Sequence, residues 1–238
     1  MKYLKLILCA AICLLFIGCE NMPIESKPTA SELAMEDGQI VIVIDAGHGL
    51  ADVGAINEEN LGKVTEADIN FIIASRIAEL LSEKYTVIMT HDGKEKPFTE
   101  YDDGKDTYGP SERADFSNST AADLFISVHC DSFPSNADVY GTRLYYADGT
   151  PNATEFDEKI AKAVGNAIDE KFGEYKKVIL KPMDANSAYT VLYKTKVPSL
   201  LIECGFITNE GDAERLTDAD WQNGFATAIT NGIDEYFK

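Results

Sequence analysis

The chain has 238 residues, of which 45% are hydrophobic and 26% are charged. Its 40 acidic and 21 basic side chains give a formal net charge of −19, which argues against a nucleic-acid-binding protein. This length and apolar content suffice for one α/β domain with a full hydrophobic core.

The first residues have the pattern of a secretion signal. Two lysines precede an apolar run over residues 6–17, which is too short to span a bilayer. The run closes on Gly18 and Cys19, and a cysteine directly after a small residue is similar to a lipoprotein signal. We therefore expect a signal peptide over residues 1–18, a lipid on Cys19 and an extracytoplasmic protein anchored to the membrane. Because Phe16 stands where an aliphatic residue is usual, plain secretion is the alternative.

Residues 19–37 are polar, contain two prolines and lack apolar periodicity, which predicts a flexible tether after the lipidated cysteine. One folded domain is then expected over residues 38–238, without internal repeats. Only two of the five cysteines, Cys130 and Cys204, fall in this domain. Two cysteines do not make a disulfide scaffold, and we interpret them as small buried residues. A disulfide between them would require neighbouring strands.

The first half of the domain predicts a strand, a helix and a second strand. Residues 40–44 form a continuous β-branched run, which is typical of a parallel strand buried on both faces. Thr65 and Asp68 form a capping box, after which apolar residues recur at helical spacing. Residues 85–90 predict the next strand. The charged, glycine-containing residues 92–118 indicate a surface or substrate-facing loop, and their acidic cluster lacks EF-hand spacing.

The second half alternates strands and helices. Further strands are predicted over residues 122–128, 141–146, 178–180, 188–193 and 199–202, and helices over about 154–172 and 218–237. This alternation indicates a single three-layer α/β domain, with an open, mostly parallel sheet and helices on both of its faces.

Three of the strand-like runs end close to a residue that can bind a metal ion or transfer a proton. These residues are His48, His129 and Glu203, and the carboxyl ends of strands are where an open α/β sheet presents functional side chains. Glu66 opens the first long helix, where the helix dipole favours a carboxylate. Two imidazoles and one carboxylate form a catalytic zinc set with a fourth position for water. The sequence thus predicts one Zn2+ held by His48, Glu66 and His129, with Glu203 for proton transfer.

Each of these residues also has a simpler interpretation. A histidine after a strand can be a satisfied polar group, and a glutamate in a first helical turn is often only a capping partner. His91, the third histidine, lies at a strand end and is a weaker ligand candidate. Asp131 lies two residues after His129, where orienting a ligand imidazole, contacting substrate and capping a loop are all open roles.

Six segments between residues 40 and 237 carry a family resemblance, in this order: IVIDAGHGLADVGA, TEADIN, ADLFISVHCDSF, GTRLYY, VPSLLIECGFITNEGDAERL and FATAITNGIDEYF. They resemble the zinc-dependent N-acetylmuramoyl-L-alanine amidases of the amidase type 3 family. The resemblance implies that His48, Glu66 and His129 bind zinc and that Glu203 is the catalytic carboxylate. It also implies that the substrate is peptidoglycan, cut at the amide between N-acetylmuramic acid and L-alanine of the stem peptide.

The sequence departs from the family pattern at three places. His91 stands where the family commonly has arginine, and the loop over residues 92–111 is longer than usual and could act as a lid. Arg113 and Asn118 match an R-x-x-x-A-N stretch loosely, because Ser117 replaces the alanine. Arg113 is a candidate for contacting substrate or supporting the metal ligands. These differences concern substrate selection more than hydrolysis.

Two rival functions follow from the same residues. A zinc peptidase or deacylase on this architecture would use the same chemistry on another amide. A non-catalytic lipoprotein that binds wall material is the other rival, but a binding module does not need a proton-transfer carboxylate such as Glu203. The expected partners are peptidoglycan and, through the lipid, the membrane; the sequence identifies no protein partner.

Overall fold

The computed structural model describes residues 38–93 and 108–238. Its strands are β1 (Val41–Ala46), β2 (Thr86–Met89), β3 (Leu124–Asp131), β4 (Arg143–Ala147), β5 (Ile179–Met183) and β6 (Ser199–Phe206). They form one sheet in the order β2-β1-β3-β6-β4-β5. All neighbouring pairs run parallel except β4 and β6, which are antiparallel. The prediction of a mostly parallel open sheet is confirmed.

The described helices are α1 (Glu58–Leu61), α2 (Glu66–Leu81), α3 (Pro110–Ser119), α4 (Glu155–Phe172), α5 (Thr190–Lys194), α6 (Glu210–Thr217) and α7 (Ala219–Tyr236). Helix α2 begins at the predicted capping box, in which Thr65 and Asp68 exchange hydrogen bonds. Within the described ranges, no helix has both the length and the apolar character needed to cross a membrane.

The sheet separates two apolar cores, because successive side chains of a strand point to opposite faces. Ile42 and Ile44 of β1 face the larger core, which also contains residues of α2, α4 and α7. Val41 and Val43 face the smaller core, which contains residues of α3 and α5. Helices therefore cover both faces, as the three-layer prediction required.

One predicted strand is wrong. Residues 188–193 were expected to be extended, but Thr190–Lys194 form helix α5. Val191 and Leu192 of this helix are buried against the smaller core. A short apolar run fits a buried helix turn as well as a strand, so its periodicity does not distinguish the two.

The loop predicted over residues 92–118 is wrong in its last part, where Pro110–Ser119 form helix α3. This helix has a weak apolar pattern because two of its buried residues, Arg113 and Ser117, are polar. Helices α1 and α6 were not predicted either. Residues 94–107, which contain most of the proposed lid and acidic cluster, lie outside the described residues. The signal peptide, Cys19 and the tether also lie outside them and stay predictions.

Candidate functional site

The carboxyl ends of β1, β3 and β6 meet at one edge of the sheet, on the face covered by α3 and α5. His129 and Glu203 are register partners on β3 and β6, so their side chains leave the sheet side by side. His48 follows β1, and Glu66 is the first residue of α2. A cleft of about 730 Å3 opens at this edge, and all four side chains line it.

His48, Glu66 and His129 converge as three possible metal ligands, whose ligand atoms all lie within 4.8 Å of one another. Glu66 Oε1 lies 3.2 Å from His48 Nε2 and 3.2 Å from His129 Nδ1. A tetrahedral zinc ion with bonds of about 2.0–2.1 Å separates its ligand atoms by about 3.3 Å. The donor types and their spacing therefore fit one small divalent cation.

Glu66 is held by hydrogen bonds to both carboxylate oxygens. Its Oε2 accepts the Ala55 amide at 2.8 Å, and its Oε1 accepts Asn70 Nδ2 at 3.2 Å and the Cys130 amide at 3.3 Å. Burial raises the pKa of Glu66, but hydrogen bonds and positive charge from the two imidazoles lower it well below its usual range. Glu66 is therefore an ionised and fixed carboxylate.

Asp52 orients the imidazole of His48, with its Oδ2 2.8 Å from His48 Nδ1. Because an ionised carboxylate only accepts hydrogen bonds, Nδ1 carries the proton and Nε2 is left to face Glu66. Burial lowers the pKa of His48, but Glu66 and Asp52 outweigh it and raise the pKa to about 9. Asp52 was not among the predicted site residues; its signal in the sequence is an acid four residues after His48 in a glycine-containing loop.

The backbone of the loop that carries His48 is unusual at that residue, whose φ of 63° lies in the left-handed region. Two nearby glycines leave room for the ligand side chains. A Cβ on Gly47 would lie 2.2 Å from the His129 ring, and one on Gly54 would lie 2.7 Å from Glu66 Oε2. The glycines of this loop are therefore required by the close packing of His48, Glu66 and His129.

Arg113 braces this loop from α3. Its Nη1 donates to Asp45 Oδ1 and to the Ala46 carbonyl at 2.7 Å each, and its Nη2 donates to the His48 carbonyl at 2.5 Å. Its Nε donates to the Tyr108 carbonyl at 2.8 Å. Of the two roles predicted for Arg113, these contacts favour support of a metal ligand over contact with substrate.

Asp45, which the sequence analysis did not single out, is the buried counterion of Arg113. It also accepts hydrogen bonds from Ser127 Oγ and Thr90 Oγ1, both at 2.6 Å. Burial raises the pKa of Asp45, but the charge of Arg113 and these hydrogen bonds lower it to about 2. Asp45 thus stays ionised and ties β1 to β3, to the residue that follows β2 and to α3.

Glu203 has the opposite surroundings. It is buried, and its Oε2 has no hydrogen-bond partner in the part of the chain that the structure describes. Burial raises the pKa of Glu203 well above its usual value, and the charges of Asp131 and Glu66 raise it further, against a smaller lowering by Arg143. This carboxylate therefore takes up a proton more readily than an exposed glutamate does.

Asp131 pairs with Arg143, whose Nη1 lies 3.3 Å from Asp131 Oδ2. Its other oxygen accepts the Ser132 amide at 2.7 Å. Asp131 also lines the cleft. These contacts are those of a loop cap at the cleft wall, and both the orienting and the substrate roles stay predictions.

His91 lies behind the end of β1, just before the loop that carries His48. Its Nε2 donates to the Ala46 carbonyl at 2.8 Å, while its Nδ1 accepts the Gly93 amide at 3.0 Å. The ring stacks on Phe71, with centroids 5.8 Å apart. Both ring nitrogens are thus bound to backbone groups, and His91 is not a member of the ligand cluster.

Cys130 and Cys204 are free thiols and both are buried. They belong to the larger core, on the sheet face opposite His129 and Glu203. Their interpretation as small buried residues agrees with this position.

Comparisons with known proteins identify the family of this chain. The family model for N-acetylmuramoyl-L-alanine amidases, Amidase_3, matches residues 42–235. The chain is 29% identical over 196 residues to the uncharacterized protein YqiI of Bacillus subtilis, covering 82% of this chain and 84% of YqiI. It is 30% identical over 201 residues to the germination-specific N-acetylmuramoyl-L-alanine amidase of Bacillus subtilis, covering 83% of this chain and 79% of that protein.

A solved structure of an amidase is also similar to this chain. The N-acetylmuramoyl-L-alanine amidase AmiC2 of Nostoc punctiforme is 28% identical, with a TM-score of 0.70, over 85% of this chain and 99% of AmiC2. The family match covers most of the described residues, including His48, Glu66, His129 and Glu203. The chain therefore belongs to the Amidase_3 family of N-acetylmuramoyl-L-alanine amidases.

Proposed function

We propose that this protein is a zinc-dependent peptidoglycan amidase that acts outside the cytoplasm, anchored to the membrane by a lipid on Cys19. The bond cleaved is the amide that joins the lactyl group of N-acetylmuramic acid to L-alanine of the stem peptide. One observation carries the proposal: the convergent set of His48, Glu66 and His129 shares a cleft with Glu203, a buried carboxylate that has an unpartnered oxygen.

Three side chains would hold the zinc ion: His48 through Nε2, Glu66 through Oε1 and His129 through Nδ1. Imidazole and carboxylate ligands suit zinc, and three protein ligands leave a position open for chemistry. A bound zinc ion supplies a Lewis acid for the scissile carbonyl and makes water acidic enough to react near neutral pH. Asp52 accepts a hydrogen bond from Nδ1 of His48. This contact keeps Nε2 directed at the place that the zinc ion would occupy.

Glu203 moves the proton during hydrolysis. Its unpartnered Oε2 accepts a proton from the attacking water, and the same carboxyl group then donates that proton to the leaving amine of L-alanine. Both halves of this transfer need a carboxylate whose pKa lies nearer to neutral than that of an exposed glutamate. Burial beside Asp131 and Glu66 raises the pKa of Glu203 in that direction.

Metal analysis of the purified full chain, combined with mass spectrometry of digested peptidoglycan, tests the proposal. We expect one zinc ion per chain and products in which intact stem peptides carry a free L-alanine amino group. Activity should disappear with a chelator and return with added zinc. New ends within the stem peptide would instead identify a peptidase, and a protein that holds no zinc and releases no peptide would refute both enzymes.

A further inference from the structure

The cleft has an aromatic wall that the proposed mechanism does not use. Tyr189 lines the cleft and is 40% exposed, although it is a large aromatic residue. Its ring packs edge-on against Tyr145, with centroids 5.2 Å apart and an interplanar angle of 86°. Tyr145 lies on β4, where it is the register partner of Leu201 on β6, two residues before Glu203. An exposed ring with rigid support therefore stands beside the catalytic carboxylate.

Two carboxylates lie near this ring. Asp131 and Glu203 line the same cleft as Tyr189, and both act electrostatically on its hydroxyl group. Arg143, the neighbouring cation, is already engaged: its Nη1 lies 3.3 Å from Asp131 Oδ2, and its guanidinium lies 4.3 Å from the centroid of Phe206. The wall thus offers an apolar ring and carboxylate oxygens.

A neutral sugar ring matches this wall better than an acidic peptide does. A pyranose has a face of C–H groups that can pack on an aromatic ring, and its hydroxyl groups can donate to carboxylates. A carboxylate of a peptide would instead be repelled by Asp131. The sugar of N-acetylmuramic acid is joined to the scissile amide through the lactyl group alone, so it must lie close to Glu203 during cleavage.

We infer that Tyr189, supported by Tyr145, is the platform for the muramoyl sugar that carries the scissile amide. This inference rests on the proposed function, because it assigns one part of the proposed substrate to one wall of the cleft. Tyr189 then selects for substrates that retain the glycan.

The chain offers a matched control in Tyr193, which lies on α5 one turn after the N-cap residue Tyr189 and is 38% exposed. Tyr193 lines a separate polar groove with Asn152 and Lys194. Binding of peptide-free glycan strands of alternating N-acetylglucosamine and N-acetylmuramic acid, with the lactyl carboxylates converted to neutral amides, is measured by calorimetry on the zinc-loaded protein. We expect Tyr189→Ala to weaken binding about tenfold, Tyr189→Phe to retain most of the affinity, and Tyr193→Ala to match the wild type.

Kinetics on two substrates completes the test: an N-acetylmuramoyl peptide, and a lactoyl peptide of the same sequence without the sugar. Tyr189→Ala should raise KM about tenfold for the muramoyl peptide with little change in kcat, and should affect the lactoyl peptide much less. Equal losses on both substrates would overturn the inference, as would unchanged glycan binding in Tyr189→Ala. Because glycan binding needs no turnover, a protein that binds glycan through Tyr189 but cleaves nothing would refute the proposed function alone.

Discussion

Two carboxylates on the same face of the sheet, Asp45 of β1 and Glu203 of β6, are almost fully buried, with exposed fractions of 0% and 7%. Asp45 is surrounded by donors from Arg113, Ser127 and Thr90, and its pKa is lowered to about 2. Glu203 has an oxygen without a partner in the described structure, and its pKa is raised by burial and by neighbouring acids.

The difference shows that burial alone does not decide the charge of a carboxylate. Desolvation raises the pKa of both groups, and hydrogen-bond donors and a guanidinium then reverse the shift at Asp45 only. A carboxylate that is fully paired holds elements together, whereas an unpaired one is free to exchange a proton. Neutralising Asp45 should therefore damage the fold, and neutralising Glu203 should damage the reaction.

The largest effect is expected for Glu203→Gln. Loss of the proton-transfer group should lower the rate of peptide release from peptidoglycan by a factor of about 10²–10⁴. Zinc content should not change, because Glu203 is outside the ligand cluster, and thermal stability should hold, because Glu203 Oε2 has no hydrogen-bond partner among the described residues. Rate measurements, metal analysis and thermal unfolding on one preparation check all three. Near-normal turnover would remove Glu203 from its proposed role.

Asp45→Asn should instead lower stability, because it leaves the guanidinium of Arg113 buried without a carboxylate. The free energy of unfolding should fall by about 3–5 kcal/mol, as measured by urea denaturation. The matched control is Asp115→Asn, which removes a surface ion pair with Lys194. The side chain of Asp115 is 53% exposed and that of Lys194 is 37% exposed. That change should cost at most about 1 kcal/mol. Equal stability of the two variants would contradict the bracing role of Asp45.

Much of the fold was predictable because its signals are local. The continuous apolar runs of β1, β3 and β6 and the capping box of α2 are all read within a few residues. Helix α3 was missed for the opposite reason. Its buried Arg113 looks like a surface residue until Asp45, which lies 68 positions earlier in the chain, is brought beside it by tertiary packing.

The residues of the candidate site also fall into two groups, those with a local sequence signal and those that depend on tertiary contacts. His48, His129 and Glu203 follow apolar runs, and the sheet brings strand ends to one edge, so their common cleft could be anticipated. The ion pair behind His48 and the aromatic wall at Tyr189 depend on contacts between distant elements. Asp52 is an intermediate case: it is local to His48, but an acid in a glycine-containing loop is usually only a solvated side chain.

A smaller effect, on zinc affinity, is expected for Asp52→Asn. Zinc must bind neutral imidazole, and the pKa of His48 before zinc binds is about 9, so zinc displaces a proton below that pH. The zinc affinity of the wild type should therefore fall about tenfold for each pH unit below 9. Above pH 9, Asp52→Asn should weaken zinc binding by about 10–100-fold, because the imidazole loses its orienting carboxylate.

The two affinity curves should converge as the pH falls. Removal of the Asp52 charge lowers the pKa of His48, so protons compete with zinc less strongly in the variant than in the wild type at pH 6–7. Competition with a chelator of known affinity between pH 6 and 9.5 measures both curves, with Asp115→Asn as the control that should follow the wild type. A constant offset between the curves would show that Asp52 orients the ring without acting on its charge, since only a change in the pKa of His48 alters the slope with pH.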